Sequence, residues 1–373
     1  MKKYCFISAG EFSGDLLGAE LIDELQKIEK DLEFVGICGA AMEQRGAVSL
    51  VSQEAVTVMG VVEVFQRLST LSEAEQKILA WVDRFQPSMA ILIDFPGFHL
   101  MLAEKLRLRG IPVFQYVAPK LWAWGEHRAA LLRKNVELTL GIFPFETQFF
   151  AKHQVPFAYI GSPILDRTRK IHAHKKEFGY QESDVIVSLL LGSRKEEIEQ
   201  LAVICKEIIE DMERRAPDIH FLVVVAQNLS LAWVEGSLGL SSKNVRFLQG
   251  NSLEAMAISD ASLVCSGTAT LECALLGTPL CVIYRMNALT FQIAKRKVKI
   301  PWISLVNIVA EKEVVREFVQ EFEASAVASE ILELLGDLEK RITMKQEFLH
   351  LQASLHPKAA ACAARTILQH VSL

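Results

Sequence analysis

The chain has few of the features of a secreted, membrane-spanning or metal-binding protein. Its 373 residues include seven cysteines, but these are scattered, with no C-x-x-C pair and no metal-like spacing. Most lie in apolar runs, so we expect small core residues in a reducing compartment. No apolar stretch approaches the roughly 18–20 residues that a membrane-spanning helix needs. The apolar run that begins at Tyr4, after Met1-Lys2-Lys3, is also too short for the hydrophobic region of a signal sequence.

The chain also lacks an excess of positive charge and a metal-ligand set. Its 40 Lys and Arg against 45 Asp and Glu give a formal net charge of −5, so no overall positive field would attract nucleic acid. His172 and His174 stand two residues apart in a polar stretch and form no ligand set. Single cores rarely grow beyond about 250–300 residues, so a chain of this length is expected to form two domains.

Short apolar runs alternate with amphipathic stretches, which is typical of βαβ units and a parallel sheet. The strand candidates are 4–8, 33–37, 89–93, 113–117, 138–142, 157–160, 185–190, 221–225, 245–248, 261–265 and 280–284. We therefore predict an α/β fold with two Rossmann-like domains, 1–164 and 185–330, joined by a polar linker at 165–184. Residues 331–373 are predicted to be helices that pack back on the first domain.

The most informative segment is Ser266-Gly267-Thr268-Ala269-Thr270-Leu271-Glu272. It follows the apolar run 261–265, so a buried strand is expected to end here and a helix to begin. The unpaired N–H groups, the nearby hydroxyls and the helix dipole at such a start suit a phosphate. Glu272 could then reach a sugar hydroxyl. A capped helix without a ligand explains the same residues equally well.

A second turn of the same kind is Gly192-Ser193-Arg194, which follows the apolar run 185–191. The Arg194 guanidinium could bind a diphosphate through two parallel hydrogen bonds. Two anion-binding turns in one domain are less easily accidental than one. Together they favour a nucleotide held at the carboxyl ends of a parallel sheet.

The first domain has its own candidate residues at strand ends. The turn Gly10-Glu11-Phe12-Ser13-Gly14 follows the first strand, and its two glycines would let a ligand approach the backbone, although a plain tight turn is the alternative. Asp94 follows the run 89–93 and is well placed as a general base. Capping of the next helix is the alternative for Asp94, and His99 is a rival base. The aromatic segment 116–124 fits either a sugar or acyl pocket or core packing.

Two further stretches are candidates for contact with a membrane surface. Residues 60–71 are unusually apolar, and residues 295–299 form a local basic patch; the residues concerned are Val61, Val62, Val64, Phe65, Leu68, Lys295, Arg296 and Lys297. Cationic residues near an anionic leaflet contribute about 1 kcal/mol each. A core helix and a solvated basic face are equally good explanations.

Taken together, these motifs resemble the lipid-A-disaccharide synthase family. The matching blocks run from residue 9 to about 317: AGEFSGD (9–15), GICGAAMEQRG (36–46), VMGVVEVF (58–65), IDFPGFH (93–99), YVAPKLWAW (116–124), FPFE (143–146), YIGSPILD (159–166), LLLGSRKEEI (189–198), SGTATLECALLGTP (266–279), IYRMNALTF (283–291) and SLVNIVA (304–310). Many blocks in the same order make the resemblance specific, whereas any single block would be weak.

The resemblance implies a GT-B fold and an inverting hexosyltransferase that requires no metal or other cofactor. It implies that 2,3-diacylglucosamine is transferred from its UDP donor to 2,3-diacylglucosamine 1-phosphate, giving a β-1,6 disaccharide and UDP. Asp94 would be the base, the 192–194 and 266–270 turns would bind the diphosphate, and Glu272 the ribose. Glu11, Ser13, Gly14 and Asn307 would position donor or acceptor. Because both substrates are lipids, the resemblance also implies a cytoplasmic protein in peripheral contact with the inner leaflet.

The chain departs from the family pattern at seven positions, several of them on the expected acceptor side. Gly97 and His99 stand in place of an acid and an amide, Gly125 in place of Arg, and Ser162 in place of His; Phe12, Leu191 and Val306 also differ. Two alternatives follow: a diverged GT-B paralogue with another acceptor, or a non-catalytic UDP-sugar-binding scaffold at the membrane. The presence of Asp94, Arg194, Glu272 and Asn307 argues against the scaffold.

Overall fold

The computed structural model describes residues 3–56, 68–298 and 300–371. Val61, Val62, Val64 and Phe65, which we predict to face a membrane, lie outside these residues. The chain forms two compact units. The first is Met1–Pro163 with His356–Leu373, and the second is Ile164–Leu355.

The first unit is built on a parallel sheet of seven strands in the order β3-β2-β1-β4-β5-β6-β7. The strands are β1 (Lys3–Ala9), β2 (Leu32–Cys38), β3 (Val48–Ser52), β4 (Met89–Ile93), β5 (Val113–Tyr116), β6 (Leu138–Gly141) and β7 (Phe157–Tyr159). Its helices are α1 (Phe12–Ile28), α2 (Ala40–Glu43), α3 (Gln53–Val56), α4 (Leu68–Phe85), α5 (Pro96–Arg107), α6 (Ala129–Asn135), α7 (Glu146–Lys152) and, near the C-terminus, α17 (Ala359–Leu368), with a short 3-10 helix at Glu126–Arg128.

The second unit repeats the plan with six parallel strands in the order β10-β9-β8-β11-β12-β13. The strands are β8 (Val185–Leu190), β9 (Ile219–Val225), β10 (Val245–Gln249), β11 (Ala261–Cys265), β12 (Leu280–Tyr284) and β13 (Glu317–Val319). The helices are α8 (Pro163–Thr168), which begins at the boundary, α9 (Lys195–Arg215), α10 (Leu231–Leu238), α11 (Ser252–Ala257), α12 (Thr268–Leu275), α13 (Ala288–Lys297), α14 (Leu305–Ala310), α15 (Ala324–Gly336) and α16 (Leu338–Ser354), with a 3-10 helix at Lys175–Phe178.

The predicted α/β class is confirmed, but the division of the chain differs from the predicted boundaries. Residues 165–184 group with the second unit. Lys175 helps to hold them there, because its Nζ donates to Asp260 Oδ2 at 2.9 Å and to the Asp184 carbonyl oxygen at 2.6 Å. The helices α15 and α16 also belong to the second unit, and α17 packs against α1 in the first.

In both sheets the strand order reverses beside the first strand of the unit, and this reversal indicates where to look for a ligand site. In the first unit β1 lies between β2 and β4, and in the second β8 lies between β9 and β11. The strands β4 and β11 are buried along their whole length, as their apolar sequences require. In open parallel sheets, ligands bind outside the carboxyl ends of the strands where the strand order reverses. The turns after β1, β4, β8 and β11 are therefore the ones to compare with the predicted site.

Candidate functional site

The turn after β4 holds Asp94 in a strained backbone. Asp94 and Phe95 both have φ of 49°, in the left-handed region that residues other than glycine seldom adopt. Each such residue costs on the order of 1–3 kcal/mol, and such strain is concentrated at functional sites. The Phe95 ring lies against Gly10, where a Cβ would overlap the ring. The turns after β1 and β4 are therefore packed together, as the adjacency of their strands requires.

His99 fixes this turn and is not placed to act as the base. Its ring is buried, with Nδ1 2.7 Å from the Asp94 carbonyl oxygen and Nε2 2.8 Å from Ser8 Oγ. A carbonyl oxygen can only accept, so Nδ1 carries the hydrogen and Nε2 accepts from the Ser8 hydroxyl. Burial lowers the pKa of His99 to about 4, so the ring is neutral at physiological pH. Gln115 Nε2 also donates to the Asp94 carbonyl oxygen, at 3.3 Å.

The Asp94 carboxyl has the electrostatics of a usable base. Burial raises its pKa above the ordinary value for aspartate, and the positive charge of Lys120 and a hydrogen bond from the Phe95 N–H lower it in part. A carboxylate with a raised pKa holds a proton more strongly than one in water, which favours proton abstraction. Of the two candidate bases in the sequence, the structure therefore favours Asp94 over His99.

The turn after β1 places Glu11 and Ser13 on the surface and Gly14 inside. Gln53 Nε2 fixes the turn by donating to the carbonyl oxygens of Ala9 and Glu11 at 3.1 and 2.8 Å. The nearby Asp15 carboxylate does not cap its own helix α1. It accepts instead from backbone N–H groups at the start of α2, those of Gly39, Ala41 and Met42.

Sequence reasoning missed a buried carboxyl, Glu146, beside the aromatic segment 116–124. Glu146 Oε2 accepts from the N–H groups of Ile142 and Phe143, both at 3.1 Å, and Oε1 accepts from Trp122 Nε1 at 3.2 Å. Burial raises the pKa of Glu146 to about 7. Trp122 is thus anchored in the protein, whereas Trp124 is 54% exposed. The FPFE block marks Glu146 in the sequence but does not reveal its partners.

In the second unit, the turn after β8 is filled by a carboxylate of the chain itself. Glu197 Oε2 accepts from the N–H groups of Ser193 at 2.9 Å and Arg194 at 3.2 Å, and Oε1 accepts from Arg194 Nη1 at 3.0 Å. The turn predicted to bind a diphosphate through Arg194 here donates instead to a carboxylate of the chain itself. The sequence signal for Glu197 is its position three residues after Arg194, which is the spacing of a capping box.

The turn after β11 uses its hydroxyls differently from the prediction. Ser266 Oγ donates to the Ile303 carbonyl oxygen at 2.8 Å, and Thr270 Oγ1 donates to the Gly267 carbonyl oxygen and accepts from the Leu305 N–H at 3.2 Å. The expectation that these two hydroxyls serve an anion is corrected, since both are used to attach residues 303–305.

The backbone donors at the start of α12 fit the predicted anion better. Within the described part of the chain, no acceptor is bonded to the N–H of Thr268 or Ala269. Both groups lie in the first turn of α12, where the helix dipole favours a negative charge. A Cβ at Gly267 would meet nothing within 4 Å, so the space above this backbone is open.

Glu272 forms an ion pair that the sequence did not suggest. Its Oε1 lies 3.5 Å from Arg167 Nη2. Burial raises the pKa of Glu272, and the Arg167 charge lowers it in part. Arg167 therefore holds the carboxyl on α12, and the predicted ribose contact would require Glu272 to share its oxygens with Arg167.

Asn307 is fully buried and its side chain is used inside the protein. Its Oδ1 accepts from the N–H groups of Val314 and Val315 at 2.7 and 3.0 Å, and its Nδ2 donates to the Val315 carbonyl oxygen at 2.8 Å and to Glu317 Oε1 at 2.9 Å. All of its hydrogen-bonding positions are occupied. Asn307, expected to position donor or acceptor, therefore has no side-chain group left to contact a substrate directly; its side chain ties α14 to β13.

The candidate membrane residues are only partly described. Lys295 and Arg296 lie exposed on α13, while the side chains of Leu68 and Lys297 are outside the described residues. Among the residues that the structure describes, no helix is both long and apolar enough to cross a bilayer.

Comparison with known proteins identifies the family. The family model described as lipid-A-disaccharide synthetase matches residues 5–370. A lipid-A-disaccharide synthase of Koribacter versatilis (strain Ellin345) is 36% identical over 373 residues, covering 97% of each chain. Lipid-A-disaccharide synthase 2 of Legionella pneumophila (strain Lens) is 35% identical over 368 residues, covering 97% of this chain and 95% of that protein.

Solved structures show the fold. A UDP-GlcNAc 2-epimerase from Neisseria meningitidis bound to UDP-GlcNAc matches with a TM-score of 0.67 at 13% identity, covering 99% of this chain and 100% of that one. The glycotransferase of kitacinnamycin matches with a TM-score of 0.66 at 15% identity, covering 100% of this chain and 99% of that one. The fold is therefore GT-B, as predicted. Because the family model matches nearly the whole length of this chain, the chain belongs to the lipid-A-disaccharide synthase family of glycosyltransferases.

Proposed function

We propose that the protein is a lipid-A-disaccharide synthase that transfers 2,3-diacylglucosamine from its UDP donor to 2,3-diacylglucosamine 1-phosphate. The products would be a β-1,6 disaccharide, formed with inversion, and UDP. The family membership supports the reaction. The observation that carries the donor side is the turn after β8, where two N–H groups and a guanidinium converge on one anionic group.

The second unit would bind the donor. Arg194, the N–H groups of residues 193 and 194, and the first turn of α12 would bind the diphosphate at the position where the sheet order reverses. Glu272 would accept from a ribose hydroxyl. The epimerase of similar fold was solved with UDP-GlcNAc bound, which supports a UDP sugar here.

The first unit would supply the base. In the proposed step, the acceptor 6-hydroxyl oxygen attacks the anomeric carbon of the donor from the face opposite UDP. The bond from that carbon to the diphosphate oxygen breaks, its electron pair leaves with UDP, and the hydroxyl proton passes to the Asp94 carboxylate. Inversion follows from attack on the opposite face. Fixed donors around the departing diphosphate stabilise its growing charge.

The residues that depart from the family pattern differ in whether they could contact an acceptor. His99 and Ser162 are fully buried; His99 holds the Asp94 turn, and the Ser162 N–H donates to the His356 carbonyl oxygen at 2.7 Å. Neither side chain therefore shapes an acceptor surface. At Gly125 the φ is +82°, and a Cβ there would lie 2.7 Å from Arg128 Nη2. Gly97 is exposed with nothing within 4 Å of its Cβ position. The alternative of a paralogue with another acceptor thus depends mainly on the exposed departures, Gly97 and Phe12, the latter 63% exposed in the turn after β1.

The test is an assay of the purified protein with UDP-2,3-diacylglucosamine and the monosaccharide 1-phosphate in detergent micelles. We expect equal amounts of disaccharide and UDP, with a β linkage in the product by NMR. UDP formed only with other sugars or acceptors would favour the paralogue. Binding of UDP without turnover of any acceptor would favour the scaffold.

We also propose peripheral contact with the anionic inner leaflet through the basic patch on α13. Each cation contributes about 1 kcal/mol near an anionic leaflet, so Lys295→Glu with Arg296→Glu should weaken binding to anionic vesicles by more than about tenfold. The control is Lys243→Glu with Lys345→Glu, two exposed lysines of the same unit. Co-sedimentation with anionic and with neutral vesicles measures the effect. Equal binding by both double variants would leave the patch as a solvated face.

A further inference from the structure

We propose that Glu197 is an internal competitor for the donor's diphosphate. Its carboxylate occupies the anion-binding turn after β8 when no donor is bound, and it leaves the turn when the diphosphate arrives. This inference rests on the proposed function, since it concerns the same turn. It adds a residue that sets donor affinity without contacting the donor in the bound state.

The contacts of Glu197 exceed those of an ordinary helix cap. In a capping box, the carboxylate at the third helical position accepts from one N–H group, that of the N-cap residue. Here the carboxylate accepts from the N–H groups of both Ser193 and Arg194 and also from the Arg194 guanidinium. Hydrogen bonds in which one or both groups are charged are the strong ones. The carboxylate therefore takes up all three donors that the turn after β8 would offer to the diphosphate.

The carboxylate also occupies the space that a phosphate oxygen would need. Gly192 has φ of +115°, and a Cβ at this residue would overlap Glu197 Oε2, so the carboxylate lies directly against the turn. Two anions cannot share the same donors at contact distance, because like charges repel strongly outside bulk water. Either the diphosphate binds elsewhere or Glu197 moves away.

The charge of Glu197 acts at both turns, and its partner Arg194 is exposed to solvent. Burial and, to a smaller extent, the negative charge of Glu197 raise the pKa of the Cys265 thiol at the end of β11 to about 12, while the positive charge of Arg194 and a hydrogen bond from the Ser266 N–H lower it in part. The charged pair therefore acts at the second anion turn as well as the first. The side chains of Arg194 and Glu197 are 64% and 16% exposed. In the proposed displacement, a change of rotamer moves the carboxylate out of this largely buried position, and the diphosphate replaces it as the acceptor for the exposed Arg194 guanidinium.

The test measures UDP affinity by calorimetry for the wild type, Glu197→Gln, Glu197→Asp and the control Glu196→Gln. Glu196 is the adjacent, exposed residue, so its variant makes the same change in net charge. The amide removes the competing charge, and aspartate keeps the charge on a side chain that is shorter by one carbon. We expect the Kd for UDP to fall about threefold to tenfold in both Glu197 variants, the effect of one charged competitor in a partly exposed site. The control should stay within about twofold of the wild type.

The opposite result would overturn the proposal. If folded Glu197→Gln and Glu197→Asp, checked by thermal melts, bind UDP no more tightly than the wild type, Glu197 remains in place and holds Arg194. Titration with inorganic pyrophosphate separates this failure from that of the proposed function. Tighter pyrophosphate binding by the Glu197 variants, with no UDP binding by any protein, would keep the competitor and reject the UDP donor. If the Glu197 variants bind neither UDP nor pyrophosphate more tightly than the wild type does, the competitor role of Glu197 is rejected.

Discussion

Replacement of Asp94 by asparagine is expected to lower the rate of disaccharide formation by about 10²–10⁴-fold, the range for loss of a positioned general base. The amide has nearly the shape of the carboxyl group, so it should keep the strained turn that His99 and Gln115 hold through the Asp94 carbonyl oxygen. It cannot accept the proton of the attacking hydroxyl. The loss should appear in kcat in a steady-state assay, while the Kd for UDP should stay unchanged, because the proposed diphosphate donors lie in the other unit.

The control for this variant is Asp83→Asn, an exposed aspartate of the same unit that pairs with Arg109 at 2.7 Å. It should change kcat by less than about twofold, as for other exposed ion pairs. A near-normal kcat for Asp94→Asn would remove Asp94 as the base. A loss of UDP affinity in the same variant would indicate a structural effect instead.

The pH profile gives an independent test of Asp94. The base acts in its deprotonated form, so the rate should fall as pH falls through its pKa. Burial raises this pKa and the Lys120 charge lowers it. Lys120→Met should therefore move the acidic limb of the kcat profile to higher pH, whereas Lys120→Arg, which keeps the charge, should leave it in place.

Most strands were predictable from the sequence, including the edge strands β7 and β10, but the other two edge strands were not. The run 261–265 coincides with β11, and the predicted start of a helix after Ser266 was correct. Two strands were missed, β3 and β13, and each lies at the edge of its sheet. The strand β3 is largely half-exposed, and β13 has only three residues. Neither has the continuous apolar run that identifies a central strand of a parallel sheet.

The site shows a similar limit. Sequence patterns selected Ser266, Thr270 and Asn307 as candidates, but the hydrogen-bond partners of each were not readable. Ser266 bonds to residue 303, and Thr270 to residue 305, both more than 30 positions away along the chain. Which hydroxyl or amide is free for a ligand depends on such tertiary contacts. The contact between Arg194 and Glu197 is different, because the two residues are only three positions apart and the capping-box spacing predicts their contact.

The second large effect is expected at Asn307. Asn307→Leu has a similar volume but leaves the N–H groups of Val314 and Val315 and one bond of the Glu317 carboxylate without a partner. Each buried polar group left unpaired costs about 1–3 kcal/mol, so the variant should be destabilised by about 3–5 kcal/mol. Thermal and urea unfolding without any ligand measures this loss. The matched control is Asn244→Leu, where the side chain donates a single bond to the Pro217 carbonyl oxygen and the loss should be about 1 kcal/mol.

The two roles considered for Asn307 give opposite results in that experiment. If the side chain contacted a substrate directly, Asn307→Leu would keep the wild-type stability and lose kcat/KM. If it ties α14 to β13, stability falls without ligand, and UDP affinity falls with it, because residues 303–305 are bonded to the turn after β11.

A second variant, Asn307→Asp, separates the two roles by the pH dependence of stability. It would bring a second carboxylate oxygen to within 2.9 Å of Glu317 Oε1, and two carboxylates at that distance cannot both be ionised. Its stability should therefore fall as pH rises through the range in which the pair loses its shared proton, a dependence that a substrate contact would not produce in the unliganded protein.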